Sequence, residues 1–256
     1  MSDLLASFKI LSNGSVLNYL YKGVLFTIVL SLICICISFV LGSILAMLRN
    51  YCRGNASRFL GYAATAYIEI FRNTPLMLWM FICFVFCPTP SFPQWLAETL
   101  GLASTVDLKT LFKAIVALTL FTSSVMAEII RGGLNSLSAG QFEAGYSQGF
   151  NTMQVMIYII LPQAYRNIIP TLLSQVITTI KDSSYLASLA TIEFMARVKL
   201  IISKANEYNG SWVDISNRGT INVTDVFVLF GFAFIIYFII NLSISTIVRR
   251  MKLQKA

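Results

Sequence analysis

The chain is organised around the stretch Glu143-Ala144-Gly145-Tyr146-Ser147-Gln148-Gly149, a polar interruption between two apolar segments that is followed after nine residues by Ile159-Ile160-Leu161-Pro162. We predict a short helix that opens near Glu143, because a carboxylate is favourable at the positive end of a helix dipole. Gly149 can take the left-handed conformation that ends a helix and turns the chain back. Pro162 should then fix the angle at which the next apolar segment leaves. The stretch is therefore either a knob shaped to fit a partner protein or an ordinary connector between two membrane helices.

The composition of the chain indicates a polytopic membrane protein. Hydrophobic residues make up 57% of the 256 residues, charged residues make up 12%, and the mean hydropathy is +0.74, which lies outside the usual range of soluble proteins. The net charge of +8 need not indicate a nucleic-acid partner, because an excess of Lys and Arg in membrane proteins marks the cytoplasmic loops. The chain has no histidine, which removes the commonest general base and metal ligand, and we expect no metal site.

Five apolar segments predict an all-α fold with five membrane spans in a single domain over residues 1–256. The predicted spans are residues 24–48, 59–87, 111–130, 155–180 and 226–248. The first of them has 25 uncharged residues, ample for a hydrocarbon core of about 30 Å at about 1.5 Å per residue. Basic residues follow the first and last spans, namely Arg49, Arg53, Arg58, Arg249, Arg250 and Lys252. By the positive-inside rule this places the N-terminus outside, the C-terminus inside and the loop 132–153 in the cytoplasm.

Two of the spans contain charges and prolines. Glu69 and Arg72 lie about 10 and 13 residues into the second span, which is ~15 to 20 Å along it if the span is one helix. Charges at such depth are costly and commonly mark a pathway or a paired site, and at this spacing the two side chains can neutralise each other. Thr74-Pro75 predicts a break in the helix beside them. The alternatives are a substrate pathway and a structural ion pair that sets the kink.

The fourth span has the same features. Arg166 lies between Pro162 and Pro170, which predicts another broken helix with a buried cation. Broken helices near the middle of a membrane present backbone dipoles to polar substrates in transporters. At the outer end of this span, Lys181-Asp182-Ser183-Ser184 could line an outer gate or could simply cap and end the helix.

Further motifs extend the pattern over most of the chain. They are Glu69-Ile70-Phe71-Arg72-Asn73-Thr74-Pro75-Leu76, Ala127-Glu128-Ile129-Ile130-Arg131-Gly132-Gly133, Leu161-Pro162-Gln163-Ala164-Tyr165-Arg166 and Lys181-Asp182-Ser183-Ser184. With these motifs, the chain from about Tyr19 onward resembles the polar amino-acid permeases of bacterial ABC importers, a group with glutamate/aspartate, glutamine, histidine and arginine systems. The first stretch resembles the coupling loop of that family, which usually has a second Ala where this chain has Gly145. An Ala there is expected to be neutral or favourable by ~1 kcal/mol within a helix.

The resemblance implies a five-span permease in the bacterial plasma (inner) membrane that works by alternating access. Its implied partners are a second permease subunit, a cytoplasmic ATPase dimer that uses ATP and Mg, and an external solute-binding protein; this chain binds no cofactor. The ATPase-coupling residues are then Glu143, Ala144, Gly145, Gly149, Ile159, Leu161 and Pro162. The candidate pathway residues are Glu69, Arg72, Thr74, Arg166, Lys181 and Asp182. Two long outer loops look most like the glutamate/aspartate branch, with glutamine or a basic amino acid as alternatives.

Other classes of protein explain the sequence less well. The chain lacks a G-x-x-x-x-G-K-[ST] phosphate loop, so we do not expect it to hydrolyse ATP itself, and its scattered carboxylates without histidine do not indicate an enzyme. A self-contained channel or secondary transporter often has internal repeats and carries its coupling residues in its own bundle. We find no repeat of the five spans, and that class does not account for the stretch at Glu143. A scaffold without a pathway is disfavoured by the charges within the spans.

Overall fold

The structure is a computed structural model that describes residues 7–8, 10–52, 58–100, 105–189, 191–204 and 222–253. Every regular element within these residues is helical, in agreement with the all-α prediction. In chain order the elements are α1 (Gly14–Tyr51), α2 (Arg58–Arg72), α3 (Leu76–Phe86), α4 (Gln94–Thr99), α5 (Thr105–Asn135), α6 (Ala139–Ser147), α7 (Thr152–Gln154), a π-helical segment (Val155–Ile160), α8 (Leu161–Asp182), a 3-10 segment (Ser183–Leu189), α9 (Phe194–Lys204) and α10 (Val223–Leu253).

Three helices are long and apolar enough to cross a membrane. They are α1 with 38 residues, α5 with 31 residues, and the 28 residues Val223–Arg250 of α10, and they contain the first, third and fifth predicted spans. Taken together, α2 and α3 are also long and apolar enough to cross a membrane, but the two helices are bent by 109° where they meet. By length and composition, three helices of the described residues could cross a membrane, or up to four crossings are possible if the bent pair is one span.

The bend between α2 and α3 divides the predicted span over residues 59–87 into two helices. Helix α2 ends at Arg72 and α3 begins at Leu76, so the predicted break at Thr74-Pro75 is confirmed. Proline has no backbone N–H and disfavours helical conformation in the residue before it. Glu69 and Arg72 both lie in α2, before the bend, so the estimate of ~15 to 20 Å along a helix holds within α2, but α3 does not continue that line.

The fourth predicted span differs in another way. The π-helical segment precedes α8, in which Pro162 is the second residue, and α8 continues through Pro170. The predicted break at Pro170 is therefore wrong; a proline removes one helical hydrogen bond and can bend a helix without ending it. The side chain of Arg166 is exposed in this chain, so the prediction of a buried cation is also wrong.

The described helices pack into two compact units. The first unit comprises residues 1–32, 80–115 and 180–244, and the second comprises residues 33–79, 116–179 and 245–256. In the first unit, the start of α1 packs with α9 and α10 around Leu20, Phe194 and Leu229. In the second unit, the ends of α1 and α5 pack with α2, the π-helical segment and α8; its buried residues are Ala46, Ile68, Ala127, Ile130, Leu134, Val155, Met156, Ile160, Ala164 and Ile168. The single domain over residues 1–256 stays a prediction.

Candidate coupling site and charge cluster

The short helix predicted at the first stretch is α6, in the second unit. It begins at Ala139 after Ser138, which has extended backbone angles, so the predicted start near Glu143 is wrong. Glu143 lies in the middle of the helix with its side chain exposed. A dipole effect acts mainly in the first turn, and Glu143 is beyond it.

The end of α6 has the predicted geometry. Gly149 has a φ of +81°, a left-handed conformation that L side chains rarely adopt. Its N–H donates to the carbonyl of Tyr146 at 3.0 Å, and the N–H of Phe150 donates to the carbonyl of Gly145 at 3.3 Å. Bonds of this kind satisfy carbonyls at a helix end that has no further helical donors. The prediction that Gly149 ends the helix is confirmed.

Gly145 is where α6 packs most closely on the π-helical segment. It is buried, and a Cβ at this position would lie 2.8 Å from Cγ2 of Val155 and 3.0 Å from Cδ1 of Ile159. The helix-propensity gain of ~1 kcal/mol for Ala is therefore opposed by overpacking, which typically costs ~1–3 kcal/mol. The structure opposes the expectation that Ala at this position is neutral or better.

These contacts anchor one face of α6 and leave the other open. Phe142 packs partly buried against the core of the second unit, and Nε2 of Gln163 donates to Oε1 of Gln141 at 3.1 Å. On the anchored side, Ile159 and Leu161 also pack against this core. Exposed residues on α6 and at its C-terminal end include Glu143, Ala144, Tyr146, Ser147, Gln148 and Gly149, and Pro162 on α8 is also exposed. Of the seven predicted coupling residues, four lie on α6 or directly after it, namely Glu143, Ala144, Gly145 and Gly149. Ile159 meets α6 at Gly145, whereas Leu161 and Pro162 begin α8.

A second feature of this unit is a group of five charged side chains, which we call the charge cluster. It comprises Arg49 at the end of α1, Glu69 and Arg72 on α2, and Glu128 and Arg131 on α5. A terminal nitrogen of Arg49 lies 2.8 Å from Oε1 of Glu69, and the other lies 3.1 Å from Oε2 of Glu128. A terminal nitrogen of Arg72 lies 3.6 Å from the same Glu128 oxygen, and Nε of Arg131 donates to it at 3.0 Å. Glu128 is the centre of the cluster, with three arginines around it.

The charge cluster corrects the partners expected for Glu69 and Arg72. Glu69 accepts from Arg49 and, at 3.1 Å, from Nδ2 of Asn73, whereas Arg72 faces Glu128. Glu69 and Arg72 are held by partners on other helices more than by each other. The sequence did not indicate Arg49, Glu128 or Arg131 as site residues. The motif Ala127–Gly133 and the position of Arg49 after the first uncharged span were the only signals that could have found them.

Thr74 takes part in the bend between α2 and α3. Its hydroxyl donates to the carbonyl of Ile70 at 2.7 Å and accepts from Nε1 of Trp79 at 2.5 Å. Ring contacts at 4.6 Å from Tyr67 to Phe71 and at 4.2 Å from Phe71 to Trp79 run through the same corner. The hydroxyl satisfies a carbonyl that the break would otherwise leave without a donor. Thr74 thus has a structural role here, and a role in substrate passage stays a prediction.

Lys181 and Asp182 belong to the first unit, at the end of α8. Lys181 is exposed, and Asp182 is partly buried. The hydroxyl of Ser183 donates to the carbonyl of Ile180 at 2.8 Å. This contact favours the capping alternative for the stretch.

The first unit contains a buried carboxyl group that the sequence did not indicate. Glu193 precedes α9 and is fully buried; its two oxygens accept from the backbone N–H groups of Met195 at 2.9 Å and Ala196 at 2.6 Å. The hydroxyls of Thr27 on α1 and Tyr237 on α10 each donate to it at 3.4 Å. Burial raises the pKa of Glu193 to about 7, although these hydrogen bonds act to lower it. The carboxyl group joins three helices of this unit.

Arg197, on the first turn of α9, lies beside this group. Its Nε donates to the carbonyl of Ile192 at 2.8 Å, and a terminal nitrogen donates to the carbonyl of Tyr19 at 2.9 Å. A Cβ at Gly23 would lie 2.7 Å from Cδ of Arg197 and 3.0 Å from Cα of Phe194, so the backbone of α1 passes close to α9. Burial lowers the pKa of Arg197.

Comparison with known proteins identifies the class of this chain. A family model described as the binding-protein-dependent transport system inner membrane component matches residues 38–252. The chain belongs to this family. The family is one of inner-membrane transport components, so the chain is a membrane transport subunit and not an enzyme.

Two relatives of this transport component cover nearly the whole chain. It is 32% identical over 239 residues to the probable glutamine ABC transporter permease protein GlnP of Bacillus subtilis (strain 168), covering 93% of this chain and 94% of that protein. It is 31% identical over 245 residues to the glutamate/aspartate import permease protein GltK of Escherichia coli O157:H7, covering 94% and 95%. These relatives confirm the resemblance to polar amino-acid permeases of ABC importers.

Solved structures show the same fold. The transport component matches a chain of an amino acid ABC transporter crystallised with histidines with a TM-score of 0.68 at 21% identity, covering 96% of this chain and 98% of that chain. It matches a chain of the MetNI methionine ABC transporter in an inward-facing conformation with a TM-score of 0.63 at 19% identity, covering 93% and 99%. At these identities the likeness concerns the fold alone.

Proposed function

We propose that this chain is a permease subunit of an ABC importer that carries a polar amino acid across the inner membrane by alternating access. The observation that carries the proposal is the geometry of α6, which is anchored on one face through Gly145 and open on the other. Family membership and the two amino-acid permease relatives support it. A mere connector between spans does not require a helix that is packed tightly on one side and ended at a fixed point by Gly149.

In this proposal α6 is the coupling helix that meets a cytoplasmic ATPase. The ATPase dimer uses ATP and Mg, and its closure pushes on the exposed face at Glu143, Ala144 and Gly149. The close packing of Gly145 on Val155 and Ile159 transmits that push to the π-helical segment and α8. No covalent chemistry takes place in this chain, and it binds no cofactor of its own.

The proposed complex has five spans per permease, with the N-terminus outside and the C-terminus inside. A second permease subunit, either the same chain or a sister chain, completes the pathway. A solute-binding protein docks on the outer loops. The alternative from another class is a self-contained channel or secondary transporter, which would carry its substrate without an ATPase.

Two arginines are proposed to serve the pathway. A transported amino acid is zwitterionic, and a guanidinium group offers its carboxylate two parallel hydrogen bonds. Arg166 has an exposed side chain, and Arg72 is 38% exposed beside Glu128. The other proposed pathway residues, Glu69, Thr74, Lys181 and Asp182, have the contacts described above.

For the substrate we propose glutamate or aspartate ahead of glutamine, on the basis of the two long outer loops and the resemblance. The test measures uptake of labelled glutamate, aspartate, glutamine and arginine into proteoliposomes. The proteoliposomes contain this chain and the ATPase and permease subunits that co-purify with it. The binding protein encoded beside the chain is added. We expect ATP-dependent uptake of glutamate and aspartate. Uptake of glutamine or arginine in their place would reverse the ranking, and uptake that needs no ATPase would favour the channel or secondary transporter.

A further inference from the structure

Glu128 stands at the point where three helices of the second unit meet. Its carboxylate faces Arg49 from α1, Arg72 from α2 and Arg131 from its own helix, and Arg49 also reaches Glu69. With three arginines and two glutamates the charge cluster has a formal net charge of +1. Without the charge of Glu128, three guanidinium groups would share one carboxylate, and the contacts between α2 and α5 within the cluster would lose their attraction.

The α2 side of this meeting point is a rigid corner. The rings of Tyr67, Phe71 and Trp79 are in successive contact around the bend, and Trp79 is bonded through Thr74 to the carbonyl of Ile70. These contacts join the end of α2 to the start of α3. We therefore expect a force on Arg72 to move the end of α2 and the start of α3 together, and not the Arg72 side chain alone.

The α5 side leads directly to the proposed coupling helix. Ile130 and Leu134 on the last turns of α5 are buried in the same core as Val155 and Ile160 of the π-helical segment. Gly133 lies against Ile168 of α8 so closely that no side chain would fit without a shift. Only Ser136, Leu137 and Ser138 separate the end of α5 from α6. A displacement of α6 thus reaches the helix that carries Glu128.

The ion pairs of the charge cluster are weak enough to separate and form again during transport. The side chains of the charge cluster are between 21% and 46% exposed. Ion pairs with this much solvent are individually weak, whereas the breaking of a fully buried pair is strongly unfavourable. The cluster can hold one arrangement of the helices and still separate during transport.

We propose that Glu128 is a latch residue, which holds the α2–α3 corner and the end of α1 against α5 in the resting transporter and releases them when α6 is pushed. The latch rests on the proposed function, because it requires an ATPase that acts on α6. Glu128 acts as a positioning residue: it sets how readily the complex leaves its resting arrangement. Loss of the latch should let the ATPase cycle without substrate.

The test compares the whole transporter with its Glu128→Gln variant in lipid nanodiscs. We expect ATP hydrolysis without binding protein or amino acid to rise about tenfold, a coupling effect of ordinary size, while uptake per ATP falls and membrane abundance stays normal. In the wild type, increasing the KCl concentration should also raise this basal hydrolysis, because salt screens partly exposed charges. The Glu128→Gln variant should have lost that dependence on salt. Glu98→Gln, which removes an exposed carboxylate on α4, should match the wild type in basal hydrolysis and in its dependence on KCl, both measured without binding protein.

A second variant guards against a folding defect in the first. Arg72→Gln removes the longest contact of the cluster, 3.6 Å, from a more exposed side chain, and it should also raise basal hydrolysis. A role of Arg72 in substrate passage alone would lower uptake without that effect.

Unchanged basal hydrolysis in a well-assembled Glu128→Gln variant would refute the latch, and so would loss of assembly in both variants. If the wild-type chain couples to no ATPase, the proposed function itself fails; if it couples and both variants behave as wild type, only the latch fails.

Discussion

At the scale of single residues, the proposed coupling site depends on one backbone angle. Gly149 has a φ of +81° with open space where a Cβ would lie, so the strain of any side chain there comes from the backbone alone. A β-branched residue at positive φ costs ~1–3 kcal/mol. We expect Gly149→Val to displace the end of α6, so that co-purification of the ATPase and uptake fall together while membrane abundance stays normal.

Gly140 provides a matched control for that substitution. It lies on the same helix in ordinary helical conformation, and the nearest atom to a Cβ there is Oγ of Ser138 at 3.9 Å. Valine is a better helix former than glycine, so Gly140→Val should retain the ATPase and full uptake. Full transport by Gly149→Val would leave α6 as a connector between spans and would remove the main support for the coupling proposal.

Gly149, Gly145 and the start of α6 show which features of this stretch the sequence could predict and which it could not. The conformation of Gly149 was predictable because it depends on residue type and local position. The tight packing of Gly145 was not, because it depends on Val155 and Ile159, whose side chains meet it only after the chain has turned. The start of α6 was misplaced because a favourable charge at Glu143 does not decide where a helix begins when Ser138 and Ala139 precede it.

At the scale of elements, Glu193 fixes the start of α9 and makes the stability of the first unit depend on pH. The groups that face it are Thr27 from α1, Tyr237 from α10, and Arg197 and two backbone N–H groups on α9. In the unfolded chain the carboxyl group should release its proton near its ordinary pKa of 4.5, whereas in the fold burial raises the pKa to about 7. Between these values the folded chain binds more protons, so the free energy of unfolding should fall as pH rises and level off above about pH 7.

Thermal unfolding of the wild type and of Glu193→Gln tests this expectation. We expect the unfolding midpoint of the wild type to fall between about pH 4.5 and about pH 7, and the variant to lack that part of the slope. The variant should also unfold at a lower temperature throughout, because an amide nitrogen cannot accept from a backbone N–H and one unsatisfied donor costs ~1–3 kcal/mol. Other titrating groups contribute to both chains, so the difference between the two profiles isolates Glu193. Parallel profiles would show that this carboxyl group titrates normally.

The same scale shows why one proline could be interpreted from the sequence and another could not. Pro75 follows Asn73-Thr74, and its local geometry is enough to end α2. Pro170, in contrast, lies in a helix that continues past it. A proline within a helix is tolerated when neighbouring helices and side chains satisfy the carbonyl that it leaves free. Whether a proline breaks or only bends a helix is decided by contacts that sequence spacing does not reveal.

At the scale of the whole molecule, composition was enough for the all-α membrane fold but not for the charge cluster. Arg49 is separated from Glu69 by 20 residues and from Glu128 by 79 residues. Such contacts follow from the packing of distant helices, and no local pattern specifies them. The number of spans does not follow from the sequence for a related reason, since a segment of sufficient length and apolarity can fold as a bent pair such as α2 and α3.

The last prediction concerns how often the chain crosses the membrane. With an external N-terminus, the loop charges place a reporter fused after Arg250 inside and one near Asn209, which lies outside the described residues, on the external side. An arrangement with five crossings and one with three crossings, by α1, α5 and α10 alone, place these two reporters on the same sides. The two arrangements differ in the sides on which the loops before and after α5 lie. With five crossings Ser91 is external and Ser138 is cytoplasmic, whereas with three crossings the two positions exchange sides.

Single cysteines at Ser91 and Ser138, both exposed, in a chain without its native cysteines decide between the two arrangements. We expect a membrane-impermeant maleimide added to intact cells to label Ser91→Cys and not Ser138→Cys, and to label both after the membrane is opened. The reverse pattern would place α6 outside, where no ATP-driven partner could push it, and would refute the coupling proposal while leaving the helical fold intact. Reporters after Arg250 and near Asn209 on the same side would instead contradict the five-span arrangement, because one crossing by α10 should separate those two positions.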